Sequence, residues 1–159
     1  LVDRAGIDMI LIGDSASNVM AGNETTLPIT LDQMIYHARS VARAAKHALV
    51  VCDMPFGTYQ VCTEDALRAA VRIMAESGVD AVKLEGGEPV IKTVKALVQA
   101  GIPVCGHLGL TPQSVHVFGG FGRQAHRAGV RRAHHPRHRH RSRYGRRPST
   151  GAARHVGHE

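Results

Sequence analysis

The stretch 49-LVVCDMPFG-57 decides the fold. Leu49, Val50, Val51 and Cys52 form a continuous apolar run, short and rich in β-branched residues. Such a run reads as a strand covered on both faces, as in a parallel sheet. Asp53 ends it, and Pro55 and Gly57 turn the chain. A carboxylate therefore stands where a buried strand opens into a loop. The design recurs: MILIGDS ends at Asp14, DAVKLEGG at Glu85 and IPVCGHLG at His107. Four strands, each delivering a polar group at its C-terminal end, point to one shared site.

Helical patterns fill the intervals. Leu1 to Gly6 reads as the end of a helix capped by Gly6, and Ala16 to Leu27 as a long polar loop. Thr30 with Gln33 reads as a capping box, followed by Leu31, Met34, Ile35, Ala38, Val41, Ala42 and Ala45 at helical spacing. Thr63 is the expected cap of a second helix ending at Gly78, and Val90–Ala100 a third, stopped by Gly101. Strands are expected at Met9–Ile12, Leu49–Cys52, Ala81–Leu84 and Pro103–Cys105. Strand and helix alternate, which means right-handed βαβ units and a parallel sheet. The polar ends at 14, 53, 85 and 107 are spaced near the roughly 31 residues per unit of a (β/α)₈ barrel. The expected fold is α/β, a partial (β/α)₈ (TIM) barrel of four to five βα units over residues 1–122. A doubly wound open sheet has the same periodicity. No G-x-G-x-x-G follows a strand, which weakens a dinucleotide reading.

The composition changes abruptly after Gly122. Residues 1–122 carry nine Lys and Arg against twelve Asp and Glu, whereas residues 123–159 carry eleven Arg and one acid, Glu159. The net charge of +7 therefore belongs to the tail. That tail has no Leu, Ile, Met or Phe and holds seven of the eleven histidines. It has too little apolar surface to offset the entropy of ordering, so 123–159 is expected to be disordered. The three cysteines, Cys52, Cys62 and Cys105, form no C-x-x-C pair, which suits a reduced, cytoplasmic setting. No run reaches the ~18 apolar residues of a membrane span. The start has no signal-peptide pattern and lacks Met, as if upstream sequence were missing.

Asp14, Asp53 and Glu85 would meet at the C-terminal mouth of the sheet. Carboxylates brought together repel unless a cation intervenes, and oxygen-only ligands suit Mg²⁺. Lys83 lies two residues before Glu85, so both side chains share one face of the strand. Ser15 offers a hydroxyl and an N–H to an anionic group. Taken singly, each acid also reads as an ordinary cap or turn residue, and His107 as a partner for a nearby carbonyl. The agreement of four strands is what favours a site.

IGDS at 12–15, TLPITLDQMIYHARSVARAAK at 26–46, VVCDMPFGTYQ at 50–60, AVKLEGG at 81–87 and GIPVCGHLGLTPQSVH at 101–116 resemble ketopantoate (3-methyl-2-oxobutanoate) hydroxymethyltransferase, a family of pantothenate synthesis. The resemblance runs from residue 1 to about Gly122. It implies a (β/α)₈ barrel, Mg²⁺, and transfer of a hydroxymethyl unit from 5,10-methylenetetrahydrofolate to a 2-oxo acid, in a cytoplasmic and often decameric enzyme. It implies Asp14, Asp53 and Glu85 as positions around Mg²⁺, Asp14, Ser15, Asp53 and Lys83 as positions that hold the keto acid, and His107 as a residue lining the site. The metal would act as Lewis acid toward an enolate that attacks the folate-borne carbon.

The departures carry expectations too. The family's general base is a Glu on a later strand, and this chain has no counterpart, Glu159 being its only acid after Glu88. The family's first strand is also absent before Leu1. Arg, His, Gly, Ala and Pro crowding in 123–159 is what a GC-rich gene gives in the wrong frame, so a frameshifted tail is expected. A single-base shift in the DNA around codons 118–130 would restore barrel-like sequence. The chain alone is expected to show no turnover. Two other readings compete. One is another Mg²⁺-dependent 2-oxo acid enzyme of isocitrate lyase-like type. The other is a nucleic-acid-binding chain acting through its arginines, disfavoured because Tyr144 is the tail's one aromatic residue. His134, His135, His138 and His140 form a tract of the kind that holds transition metals weakly.

Overall fold

A computed structural model describes residues 1–114. The expected disorder of 123–159, its histidine tract and Tyr144 lie outside the described residues. Four parallel strands, β1 (Met9–Ile12), β2 (Leu49–Asp53), β3 (Ala81–Glu85) and β4 (Val104–His107), form one sheet in the order β1-β2-β3-β4. The helices are α1 (Ala16–Val19), α2 (Leu31–Ala44), α3 (Thr63–Ser77) and α4 (Ile91–Gln99). Sequential order without a reversal is the order of barrel strands. A doubly wound sheet changes direction at a switch point, and no such reversal occurs among the described strands, which favours the barrel.

Register decides what each face carries. Ile12 pairs with Cys52, Cys52 with Val82, and Val82 with Val104, so these side chains share one face. That face holds the core. Met34, Ile35 and Ala38 of α2, Ala66, Ala69, Ala70 and Ile73 of α3, and Leu97 of α4 are buried in the same cluster. Alanines along α3 let it lie close to α2 on one side, and it packs on α4 on the other. Burying a residue such as Ile73 or Leu97 contributes roughly 1.5–3 kcal/mol. The opposite register line puts Asp53 against Lys83, Lys83 against Cys105, and Glu85 against His107. The polar residues thus stand on the face the helices do not cover, at the C-terminal end.

The local signals held at most boundaries. Thr30 caps α2 in a full capping box, its hydroxyl taking the Gln33 N–H while the Gln33 side chain takes the Thr30 N–H. Gly78 ends α3 with φ 73°, in the left-handed region. Four expectations are corrected. The opening segment is a 3-10 turn, Asp3–Ala5, closed by Gly6, rather than the end of an α-helix. The supposed loop after Asp14 contains α1. The cap of α3 is Cys62, whose Sγ accepts the Asp65 N–H, because Thr63 already lies inside the helix. The third helix opens with a 3-10 turn, Glu88–Val90, which Pro89 favours. The strands at 81 and 103 also run further, to Glu85 and His107, taking the polar end residues into the sheet.

At the N-terminal end of the sheet, Asp3 accepts the N–H groups of Lys46, His47 and Ala48, and Asp80 accepts that of Val50. These bonds fix the entries to the strands and leave the C-terminal ends for other work. Among the described residues no helix is long and apolar enough to cross a membrane.

Candidate active site

Asp53 closes β2 and is 3 % exposed. Its Oδ1 receives the Lys83 ammonium from β3, and its Oδ2 receives the Asp14 N–H at 3.0 Å. That second bond draws the turn after β1 against the end of β2. Gly13 allows it: a Cβ there would lie 2.9 Å from Ser15 Oγ and 3.7 Å from Asp53 Oδ2.

Asp14 is also 3 % exposed, and its Oδ2 accepts from Gln113 Nε2 at 2.8 Å. Burial raises its pKa, the bond from Gln113 opposes the rise, and the Asp53 charge adds to it. The Thr26 hydroxyl is close enough to favour the Asp14 charge but forms no hydrogen bond of good geometry with any described neighbour. Glu85, at the end of β3, accepts the Gln113 N–H on Oε2 at 2.9 Å. Its Oε1 lies 3.4 Å from Nδ1 of the partly exposed His107, a nitrogen with no hydrogen-bond partner among the described residues. Burial raises the Glu85 pKa as well, with Asp14 adding to the rise and the Gln113 N–H, Lys83 and His107 opposing it.

Two residues the sequence did not reveal hold this arrangement together. Tyr59, buried in the loop after β2, donates its O–H to Gln113 Oε1 at 2.6 Å and accepts the Glu85 N–H at 3.1 Å. Burial pushes its phenol upward, so it stays protonated and able to donate. Gln113, in a 3-10 turn after β4, touches both acids. A Tyr in a loop and a Gln after a proline carry no periodic signal. The one hint was that both sit in loops following buried strands, where barrel sites are built.

Of the residues singled out from sequence, Asp14, Asp53, Lys83, Glu85 and His107 belong to one connected polar cluster. Ser15 stands apart from it: exposed at the start of α1, its hydroxyl joins none of the side-chain hydrogen bonds among the described residues. Cys52 lies on the helix-covered face, where burial pushes its thiol up to about 12 and favours the neutral form.

Three buried acids thus face a single lysine, and burial resists the ionisation of two of them. Oxygen donors short of positive charge fit a hard divalent cation. The carboxylates are linked through the Asp14 N–H and Gln113 rather than by meeting at a point. Among the described residues no three His, Cys, Asp or Glu side chains are already drawn around a common centre.

A family model described as Ketopantoate hydroxymethyltransferase matches residues 1–136. The chain belongs to the ketopantoate hydroxymethyltransferase family. It is 64 % identical over 125 residues to a 3-methyl-2-oxobutanoate hydroxymethyltransferase of Flavobacterium johnsoniae, covering 79 % of this chain and 46 % of that protein. The proteins of the same name from Christiangramia forsetii and Bacteroides thetaiotaomicron are 67 % and 65 % identical over 121 residues, each match covering 76 % of this chain and 44 % of the relative. The chain therefore spans less than half the length of the curated relatives it matches. Membership of the ketopantoate hydroxymethyltransferase family favours that reading over the isocitrate lyase-like one, and the match takes in all five members of the polar cluster.

Proposed function

We propose that the described residues form the keto-acid and metal pocket of an enzyme transferring a hydroxymethyl group from 5,10-methylenetetrahydrofolate to 3-methyl-2-oxobutanoate, giving 2-dehydropantoate. The observation that carries the proposal is the set of buried acids Asp14, Asp53 and Glu85 gathered with Lys83 at the C-terminal ends of adjacent parallel strands. In this reading Asp14, Asp53 and Glu85 hold Mg²⁺. When bound, that ion supplies Lewis-acid polarisation of the keto acid's oxygens, which eases loss of a proton from C3. Lys83 gives positive charge to the substrate carboxylate and orients it, and Ser15 offers its hydroxyl from the rim. Asp14 and Asp53 also contact the keto acid in this reading, and His107, with Nδ1 3.4 Å from Glu85, lines the site.

The setting is the cytoplasm, in keeping with three free thiols. Self-association belongs to the same proposal, the family's decamer being the expected form. Nucleic acid is not a proposed partner.

Calorimetric titration of the chain with 3-methyl-2-oxobutanoate tests the pocket. Binding is expected with Mg²⁺ present, is lost with EDTA, and is lost in Asp53→Asn. Binding that ignores both the metal and the substitution would sink the assignment.

A further inference from the structure

The geometry points to Gln113 as the positioning residue of this site: its amide and its N–H set which oxygens of Asp14 and Glu85 turn toward the ligand. This rests on the metal pocket proposed above. Gln113 is 6 % exposed. Its Nε2 donates to Asp14 Oδ2 at 2.8 Å and to the Met54 carbonyl at 3.0 Å. Its Oε1 accepts from the Tyr59 O–H at 2.6 Å and from Gln60 Nε2 at 3.1 Å. Two donor hydrogens and two lone pairs are the whole capacity of a side-chain amide, and all four are used.

The partners come from three different segments. Asp14 follows β1, Met54, Tyr59 and Gln60 follow β2, and Glu85 ends β3, while Gln113 itself follows β4. One residue thus links the C-terminal ends of all four strands. It engages one oxygen of each acid, Oδ2 of Asp14 and Oε2 of Glu85, leaving Oδ1 and Oε1 outside its reach. A carboxylate that cannot rotate presents the same free oxygen to every incoming cation. Glutamate could not do this, since its anion would face Asp14 and the Met54 carbonyl. An aliphatic side chain would leave Asp14 unheld and the Tyr59 hydroxyl without an acceptor.

The test uses the full chain with Mn²⁺ as the probe, bound ion being read by electron paramagnetic resonance. Groups that orient metal ligands are worth about 10–100-fold in affinity when removed. Gln113→Met, of the same length, is expected to weaken Mn²⁺ binding by that factor and broaden the bound spectrum. Gln60→Ala removes an outer contact to the same amide, and with it the acceptor of the Gly57 and Tyr59 N–H groups, but touches neither acid and leaves both unchanged. Gln113→Asn keeps the chemistry with a shorter arm and serves if the methionine variant does not fold. In parallel, amide hydrogen exchange is measured without metal. The Glu85 amide, bonded to the Tyr59 hydroxyl that Gln113 anchors, should lose protection in the Gln113 variants while Val50 and Val82 keep theirs. If the unaltered chain binds no Mn²⁺, the metal assignment falls, and the exchange data still decide the role of Gln113. Unchanged protection at Glu85 would overturn the inference, as would wild-type Mn²⁺ affinity in a folded Gln113→Met.

Discussion

Lys83 and Asp53 stand directly opposite one another on β3 and β2, and the ammonium is bonded to the carboxylate with side chains only 11 % and 5 % exposed. A charge pair so enclosed is more costly to break than to replace. Removing one partner leaves the other unpaired in a poorly hydrated place, at about 3–5 kcal/mol. Lys83→Met should therefore lower unfolding stability by about that amount in urea titration. The double variant Lys83→Met/Asp53→Asn should recover part of it, because the amide removes the unpaired charge and keeps an acceptor for the Asp14 N–H. A single variant as stable as the starting chain would mean that water reaches Asp53 freely.

Burial raises the pKa of both Asp14 and Glu85 above the ordinary carboxylate values. Asp14 faces Asp53 and Lys83, while Glu85 faces Asp14, Lys83 and His107. A raised folded-state value means that the native chain binds these protons more tightly than the unfolded one. Between the unfolded and folded values the native state holds more protons, so stability falls as pH rises through that window. The contribution is largest below the unfolded values and absent above the folded ones. Thermal unfolding in EDTA should show a midpoint that climbs on mild acidification, until other groups titrate. Glu85→Gln keeps an acceptor for the Gln113 N–H and removes one of the buried charges. Its midpoint at neutral pH should rise by roughly 2–4 °C, and its dependence on pH should flatten. A Glu85→Gln curve parallel to that of the unaltered chain would show that Glu85 does not contribute to the window.

Tyr59→Phe removes an O–H that serves two buried groups at once, the Gln113 amide oxygen and the Glu85 N–H. The Glu85 N–H loses its acceptor, which costs about 1–3 kcal/mol. Calorimetric unfolding should register that loss. Gln113→Met together with Tyr59→Phe should cost less than the two singles added, because they break the same bond. Strict additivity would mean that the two side chains act independently.

The layout of this site was legible wherever chemistry coincided with period. Asp53 and Glu85 interrupt strong apolar runs, and the two-residue offset of Lys83 from Glu85 follows from strand geometry, so both the acids and their shared face were readable. The capping box at Thr30 was equally plain, because two polar residues at fixed spacing satisfy each other locally. Cys62 was not, since a thiol capping a helix departs from the usual oxygen acceptors and Thr63 stood beside it as the better-known choice. Tyr59 and Gln113 escaped for a different reason. Their partners are 26 to 99 residues away, and contacts closed by tertiary folding leave no trace in a local pattern. The engagement of both Asp53 oxygens, by Lys83 and by the Asp14 N–H, depends likewise on β1 and β3 flanking β2.

If Ser15 holds the keto acid as proposed, Gly13 separates that binding from stability. Its backbone does not adopt a left-handed conformation, so alanine brings no strain of that kind. The added Cβ would instead fall 2.9 Å from Ser15 Oγ, and a serine hydroxyl yields by rotating about one bond. Gly13→Ala should therefore change the thermal midpoint by less than about 2 °C, yet weaken 3-methyl-2-oxobutanoate by several-fold in the presence of Mg²⁺, because the hydroxyl is displaced from the rim. Ser15→Ala should give a loss of the same size. The pair Gly13→Ala/Ser15→Ala should do no further harm, since the atom that the methyl displaces is already gone. If Gly13→Ala instead unfolds the chain while Ser15→Ala binds normally, the glycine is there for the path of the backbone past Asp53, and Ser15 has no part in holding the keto acid.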